Sequence, residues 1–167
     1  MTKGFVHEKT VSDTVEWYTP RGVFDALGVD FDLDVCSPGL DKTWVPASRA
    51  LTPEDDGLSV PWDGLCWCNP PYGRGIERWL RKCAEHGNAI ALVPARTDVA
   101  WFHDAVRTAY ALLLVKRRIK FHRGDKDNPN LGSPGVGNIF LAWGERATDI
   151  LNDSTLDGLF IEGHHIK

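Results

Sequence analysis

At 167 residues the chain is one domain by length, and 43% apolar residues, with seven Trp and seven Phe, can build a proper core. No apolar run approaches membrane-spanning length, and Met1 to Lys9 lack the apolar stretch of a secretory signal, so a soluble, cytoplasmic protein without membrane contact is expected. A net charge of −4 excludes a uniformly basic surface.

Residues 1–15 show no periodicity and predict a loose arm. Thr19 reads as a helix N-cap and Pro20 as the first helical residue; Val23, Phe24 and Leu27 share one face and Gly28 closes the helix. Phe31 to Cys36 alternates apolar and polar residues, which predicts a strand with Asp34 near its end. Acidic residues also end surface strands with no special role. Residues 40–64 are irregular and offer no clear second strand. Asp55-Asp56-Gly57 reads as a turn, with either aspartate a candidate to meet a ligand.

Leu65-Cys66-Trp67 has strand character, and the residues from Arg74 onward have helical spacing. Between them lies Cys68-Asn69-Pro70-Pro71-Tyr72-Gly73. Two adjacent prolines cannot sit in a sheet interior and disfavour helix for the residue before each, so the chain leaves the strand in a stiff turn. Such a turn holds the Asn69 amide oxygen and the Pro70 carbonyl in fixed positions, with the Tyr72 ring beside them. Two acceptors and an aromatic face suit a planar group bearing an NH2. A plain turn with an aromatic plug is the competing account. The position favours a site, because ligands of α/β sheets bind beyond the carboxyl ends of the strands.

Next, Ile76, Trp79, Leu80, Cys83 and Ala84 form an apolar stripe, with Arg74, Arg78, Arg81 and Lys82 largely off it. Ala89 to Val93 reads as a buried strand. Pro94 to Asp98 follows as a loop, Thr97 or Asp98 capping a helix whose inner residues are Val99, Phe102, Val106 and Ala109. Arg96 on that loop suits a phosphate, a base or a salt bridge. Tyr110 to Val115 is another buried strand. Lys116 to Lys126 then packs six Lys/Arg around Phe121 and His122, a pattern that fits contact with a nucleic-acid backbone. A long loop covers 122–137, Asn138 to Trp143 returns as a strand, and a short helix near Ala147–Leu151 and a strand at Leu159–Ile161 end the chain. Charge follows this order: residues 1–70 hold 5 Lys/Arg and 12 Asp/Glu, residues 71–126 hold 12 and 5, and residues 127–167 hold 2 and 6. The basic middle suits phosphates, although a solvated face has the same composition. Strands alternating with helices predict an α/β class with a mainly parallel sheet, finished by an antiparallel C-terminal hairpin.

The four cysteines, Cys36, Cys66, Cys68 and Cys83, form no Cys-x-x-Cys pair. Buried thiols in a reducing compartment are favoured over zinc, and no metal is expected.

Asn69-Pro70-Pro71-Tyr72, Trp17-Tyr18-Thr19-Pro20, Asp32-Leu33-Asp34-Val35-Cys36 and Pro94-Ala95-Arg96-Thr97-Asp98 together resemble, in order, the phage DNA N6-adenine methyltransferase (Dam-like) family. The resemblance implies a single, reduced Rossmann-like domain over 1–167 that moves a methyl group from S-adenosylmethionine to adenine N6 in DNA. It implies catalytic residues Asn69, Pro70, Pro71 and Tyr72. Cofactor contacts would come from Tyr18, Thr19, Pro20, Asp34, Cys36 and Asp56, with Asp34 facing the α-ammonium. DNA contacts are expected at Arg74, Arg96, Thr97, Arg117, Arg118, Lys120 and Arg123, and the target base must be flipped out or single-stranded. A phage protein of this kind works in the host cytoplasm. Gly39 stands alone where a Gly-rich run is usual in methyltransferases. Asn-Pro-Pro-Tyr by itself also marks protein-glutamine methyltransferases, whereas cytosine-N4 enzymes typically carry Ser in place of the Asn. An inactive relative acting as a DNA-binding module is the alternative from a different class. The sequence carries no signal for target sequence or oligomeric state.

Overall fold

A computed structural model describes residues 17–163; the arm expected over 1–15 lies outside them. In chain order the elements are β1 (Trp17–Tyr18), α1 (Arg21–Leu27), β2 (Phe31–Asp34), β3 (Ala47–Ala50), β4 (Cys66–Cys68), α2 (Ile76–His86), β5 (Ala89–Pro94) and α3 (Ala100–Thr108). They continue with β6 (Ala111–Val115), β7 (Phe121–Arg123), β8 (Leu131–Gly132), β9 (Asn138–Trp143), α4 (Glu145–Asp153) and β10 (Gly158–Glu162). No helix among the described residues is long and apolar enough to cross a membrane.

Seven strands form the central sheet in the order β10-β6-β9-β5-β4-β2-β3, and β1-β7-β8 form a small antiparallel sheet. The central strands are apolar on both faces because both are covered. Cys66, Cys68, Ala91, Val93 and Leu141 face α2 and α3 through Leu80, Cys83, Phe102 and Ala105. The alternate residues Trp67, Ile90, Leu92 and Phe140 face α1 and α4 through Val23, Phe24, Leu27, Ala147 and Leu151. Trp67 anchors that second layer, with Phe24 edge-on at 4.9 Å and Phe31 at 5.5 Å between ring centroids.

The sheet is mixed. Parallel pairing is confined to β3-β2-β4-β5, whereas β5-β9, β9-β6 and β6-β10 are antiparallel. No helix lies between β6 and β9, so β9 returns without a crossover and runs against both neighbours.

Local expectations differ at four places. β3, with sequence Ala-Ser-Arg-Ala, is a strand where none was expected; it is an outer strand with Ser48 and Arg49 exposed, so it carries no apolar alternation. Thr19 does not cap α1. Pro20 occupies the N-cap with no side-chain bond, because the Thr19 hydroxyl is turned to Asn69. Neither Thr97 nor Asp98 caps α3, whose N-cap is Val99; Asp98 pairs instead with Arg96. The 122–137 segment is partly a hairpin, β7-β8, whose tip is closed by Asn128. The Asn128 side chain donates to the Arg123 carbonyl at 2.8 Å and accepts from the Asn130 N–H at 2.9 Å.

The β9–α4 junction depends on a glycine. Gly144 has φ +91, and a Cβ there would fall 2.1 Å from the Gly87 carbonyl oxygen. Gly144→Ala is expected to lower the stability measured by urea denaturation by about 2–4 kcal/mol. Gly22→Ala, in α1 with open space around it, is expected to leave stability unchanged or raise it by about 0.5–1 kcal/mol.

Candidate active site

β2 and β4 lie side by side in parallel, Leu33 opposite Cys66 and Asp34 opposite Trp67, so the residues that follow them emerge at one edge of the sheet. β4 and β5 are parallel, and β5 and β6 share a direction because each is antiparallel to β9. The carboxyl ends of β2, β4, β5 and β6 therefore open on the same edge.

A cleft of about 760 Å³ lies there. Trp17, Tyr18 and Thr19 form one wall; Asp34 comes from β2, with Cys36 and Ser37 just after it; Asp56 and Gly57 come from the loop after β3; and Trp67, Asn69, Pro70, Pro71, Tyr72 and Trp79 are also in the lining. Among the residues expected at the catalytic and cofactor positions, Pro20 does not line the cleft; Asn69, Pro70, Pro71, Tyr72, Tyr18, Thr19, Asp34, Cys36 and Asp56 all do. Arg74, Arg96, Thr97, Arg117, Arg118, Lys120 and Arg123 are exposed and lie outside its lining. Arg74 follows the turn after β4, Arg96 and Thr97 follow β5, and Arg117, Arg118 and Lys120 follow β6, all at the cleft's edge of the sheet. Arg123 ends β7, its guanidinium 5.4 Å from the centre of the Trp17 ring. Arg96 pairs with Asp98 at 3.3 Å, an exposed contact of little energetic weight.

Asn69 is held from behind. Its Nδ2 donates to the Trp17 carbonyl at 3.1 Å and to the Thr19 hydroxyl at 3.3 Å. Both amide protons are thus engaged, and the amide oxygen is the group left for a ligand. Tyr72 receives a hydrogen bond on its phenol oxygen from Asn138 Nδ2 at 3.4 Å. Burial raises the Tyr72 pKa well above that of a free phenol, with the Asn138 bond opposing it, so the ring stays neutral.

Asp34 is 2% exposed and has no ion-pair partner among the described residues. Burial pushes its pKa from the usual 3.8 up to about 6, against hydrogen bonds from the Ser37 side chain and the Cys36 N–H that lower it. A buried acid lacking a cation costs stability unless a cationic ligand completes it. Beside it, burial and then the Asp34 charge push the Cys36 thiol to about 12, so it remains protonated.

The wall carrying Asp56 is built by residues that sequence reasoning did not single out. Gly57 packs so closely that a Cβ would fall 2.4 Å from the Val35 carbonyl oxygen and 3.1 Å from the Trp79 ring. Lys82 Nζ donates to the carbonyls of Gly57 at 3.0 Å and Leu58 at 2.9 Å, and also to that of Val60. It lies 4.9 Å from the centre of the Trp62 ring. Asp56 itself takes a positive φ of 49 and accepts a short hydrogen bond from Ser59. In the sequence Lys82 is one of several cations off the α2 stripe, and nothing local distinguishes it. Among the described residues no group of three or more His, Cys, Asp or Glu is placed to hold a metal ion.

Comparison with curated sequences and with solved structures returns no match. A protein-family model described as DNA N-6-adenine-methyltransferase (Dam) matches residues 7–155. The chain therefore belongs to the DNA N6-adenine methyltransferase family, enzymes that use S-adenosylmethionine to methylate adenine in DNA.

Proposed function

We propose that the cleft holds S-adenosylmethionine and that Asn69-Pro70-Pro71-Tyr72 receives the target adenine, in a reduced Rossmann-like catalytic domain spanning the chain. The observation that carries this reading is the Asn69 amide, turned so that both protons are engaged and its oxygen is left for a ligand. Asp34 supports the cofactor assignment: a buried carboxylate with no cation beside it among the described residues, on a cleft with aromatic walls, suits a ligand bearing an ammonium and an adenine ring. Tyr18, Thr19 and Cys36 would border that ligand, and Asp56 would approach its polar part. A DNA substrate fits a cytoplasmic protein.

S-adenosylmethionine supplies a methyl group on a sulfonium, which makes it a strong electrophile. The protein's task lies with the other reactant. The lone pair on adenine N6 is delocalised into the ring and is a weak nucleophile. Accepting hydrogen bonds at Asn69 Oδ1 and the Pro70 carbonyl would hold the two amino protons, fix N6 and favour a tetrahedral nitrogen. Tyr72 would stack on the base, which must leave the helix or be presented single-stranded. Alignment by a stiff proline turn then contributes most of the rate, and no covalent intermediate is needed. Exposed Arg117, Arg118, Lys120 and Arg123 would contact phosphates, with Arg74, Arg96 and Thr97 nearer the flipped nucleotide.

Incubation with labelled S-adenosylmethionine and unmethylated DNA, followed by nucleoside analysis, is expected to yield N6-methyladenine. Asn69→Ala is expected to bind the cofactor normally and lose at least about 100-fold in kcat; full activity in that variant removes Asn69 from the mechanism. A protein that binds DNA but not the cofactor would instead be an inactive relative.

Asp34 couples function to pH. Its folded pKa of about 6 lies above the ordinary 3.8, so the folded chain binds the proton more tightly and the stability contributed by this group is lost as pH rises from about 4 to above 6. Asp34→Asn is therefore expected to raise stability at pH 7.5, by up to about 3 kcal/mol, while abolishing cofactor binding. In the unaltered protein, calorimetric affinity for the cofactor should fall as pH drops below about 6 and the carboxylate is protonated. Replacing Arg117 and Arg118 together by Ala should weaken DNA binding equally for all sequences. The slope of log Kd against log salt should flatten by about 1 for each phosphate no longer neutralised.

A further inference from the structure

Asn138 opens β9, a strand whose other residues, Ile139 to Trp143, are apolar and buried. It is itself only 3% exposed, and its Oδ1 finds no hydrogen-bond partner among the described residues. A buried amide with an orphaned oxygen is destabilising, and an apolar side chain would avoid the cost. The side-chain hydrogen bond that the amide makes is with Tyr72, 66 positions earlier in the chain. Were the amide turned over, its oxygen would accept the phenol proton and the pairing would persist.

The topology explains how the two meet. β9 is antiparallel to β5, so Asn138 stands opposite Pro94 at the carboxyl end of β5, the edge at which the Asn69–Tyr72 turn leaves the adjacent β4. The Tyr72 ring swings about two side-chain torsions. The hydroxyl oxygen lies on the axis of the second torsion, so an anchor there fixes the first, which sets where the ring stands, while the direction of the hydrogen bond biases the second.

We propose that Asn138 is a positioning residue for methyl transfer: by holding the Tyr72 hydroxyl it fixes the place of the ring on which the adenine stacks. The inference rests on the reading of Tyr72 as the stacking residue. Asn138 does not line the cleft, so it acts through Tyr72 and leaves cofactor binding untouched.

The test is a double-mutant cycle of Asn138→Leu and Tyr72→Phe, with unmethylated genomic DNA as substrate, kcat and the KM for DNA as kinetic readouts, and cofactor Kd measured by calorimetry. Each single variant is expected to lower kcat roughly three- to tenfold, with the double variant no slower than the worse single one and Kd unchanged. Multiplying effects, or a changed Kd with unchanged kcat, would overturn the proposal. If Asn138→Leu fails to fold, Tyr72→Phe decides alone, since wild-type kcat there makes the hydroxyl anchor dispensable. Tyr72→Ala separates the two levels. Full activity in Tyr72→Ala removes the stacking reading and the proposal with it. Lost activity there, beside wild-type rates in Tyr72→Phe and Asn138→Leu, overturns the positioning role and leaves stacking intact.

Discussion

Two hydrogen bonds from one side-chain amide tie the earliest described strand to the turn at the centre of the sheet. Asn69 reaches Trp17 and Thr19 across 52 and 50 residues of chain. Each bond is worth only about 1 kcal/mol net, so the pair does little for overall stability and much for orientation. Several features follow. Thr19 cannot cap α1, which begins without a side-chain cap. β1 must itself be held, and β7 holds it, pairing Trp17 with Arg123 and Tyr18 with His122. The Trp17 ring meets Phe121 edge-on at 6.0 Å and carries the Arg123 guanidinium. Three segments remote in sequence thus converge to aim one amide oxygen.

The groups at this edge break local rules that the core obeys. Among the described residues Asp34 is buried with no cation beside it, Asn138 leaves an oxygen unpaired, and Asp56 adopts a positive φ. Each is unfavourable in the protein alone, and all lie on or beside the cleft. Concentrated cost of this kind is typical of functional sites, where strain and unpaired groups are tolerated. Lys82 shows the opposite arrangement: its three carbonyl acceptors satisfy it fully, and it serves as a strut behind the loop that brings Asp56 to the cleft.

The sequence made the buried strands legible, because Ala89 to Val93 and Asn138 to Trp143 are apolar on both faces and bounded by breakers. The Asn69–Tyr72 turn was legible too, since adjacent prolines admit few conformations. What was hidden depends on distant partners. Ala47–Ala50 lacks alternation because an outer strand buries little. Thr19, Thr97 and Asp98 look like caps locally, but Asn69 claims the first and Arg96 the last. An antiparallel C-terminal hairpin was expected; that β9 inserts between β5 and β6, so that half of the sheet's pairings are antiparallel, was not, because strand order is set by packing and not by any residue within the strands. The roles of Lys82 and Asn138 are likewise written in contacts and not in spacing.

Charge follows the same geometry, which explains how an acidic chain can serve a DNA substrate. The acidic residues 1–70 supply β2 and β3 on one side of β4, while the basic residues 71–126 supply the loops after β5 and β6 on the other. The Asn69–Tyr72 turn leaves β4, where the two territories meet. Mean charge says little here, because a polyanion responds to the local field within about a Debye length, roughly 10 Å at moderate salt. On the proposed reading, phosphates are drawn to the β5–β6 side and excluded from the acidic β2 side, where a cationic cofactor is favoured. The strand order thus sorts two ligands of opposite charge to opposite sides of the turn at which they must react.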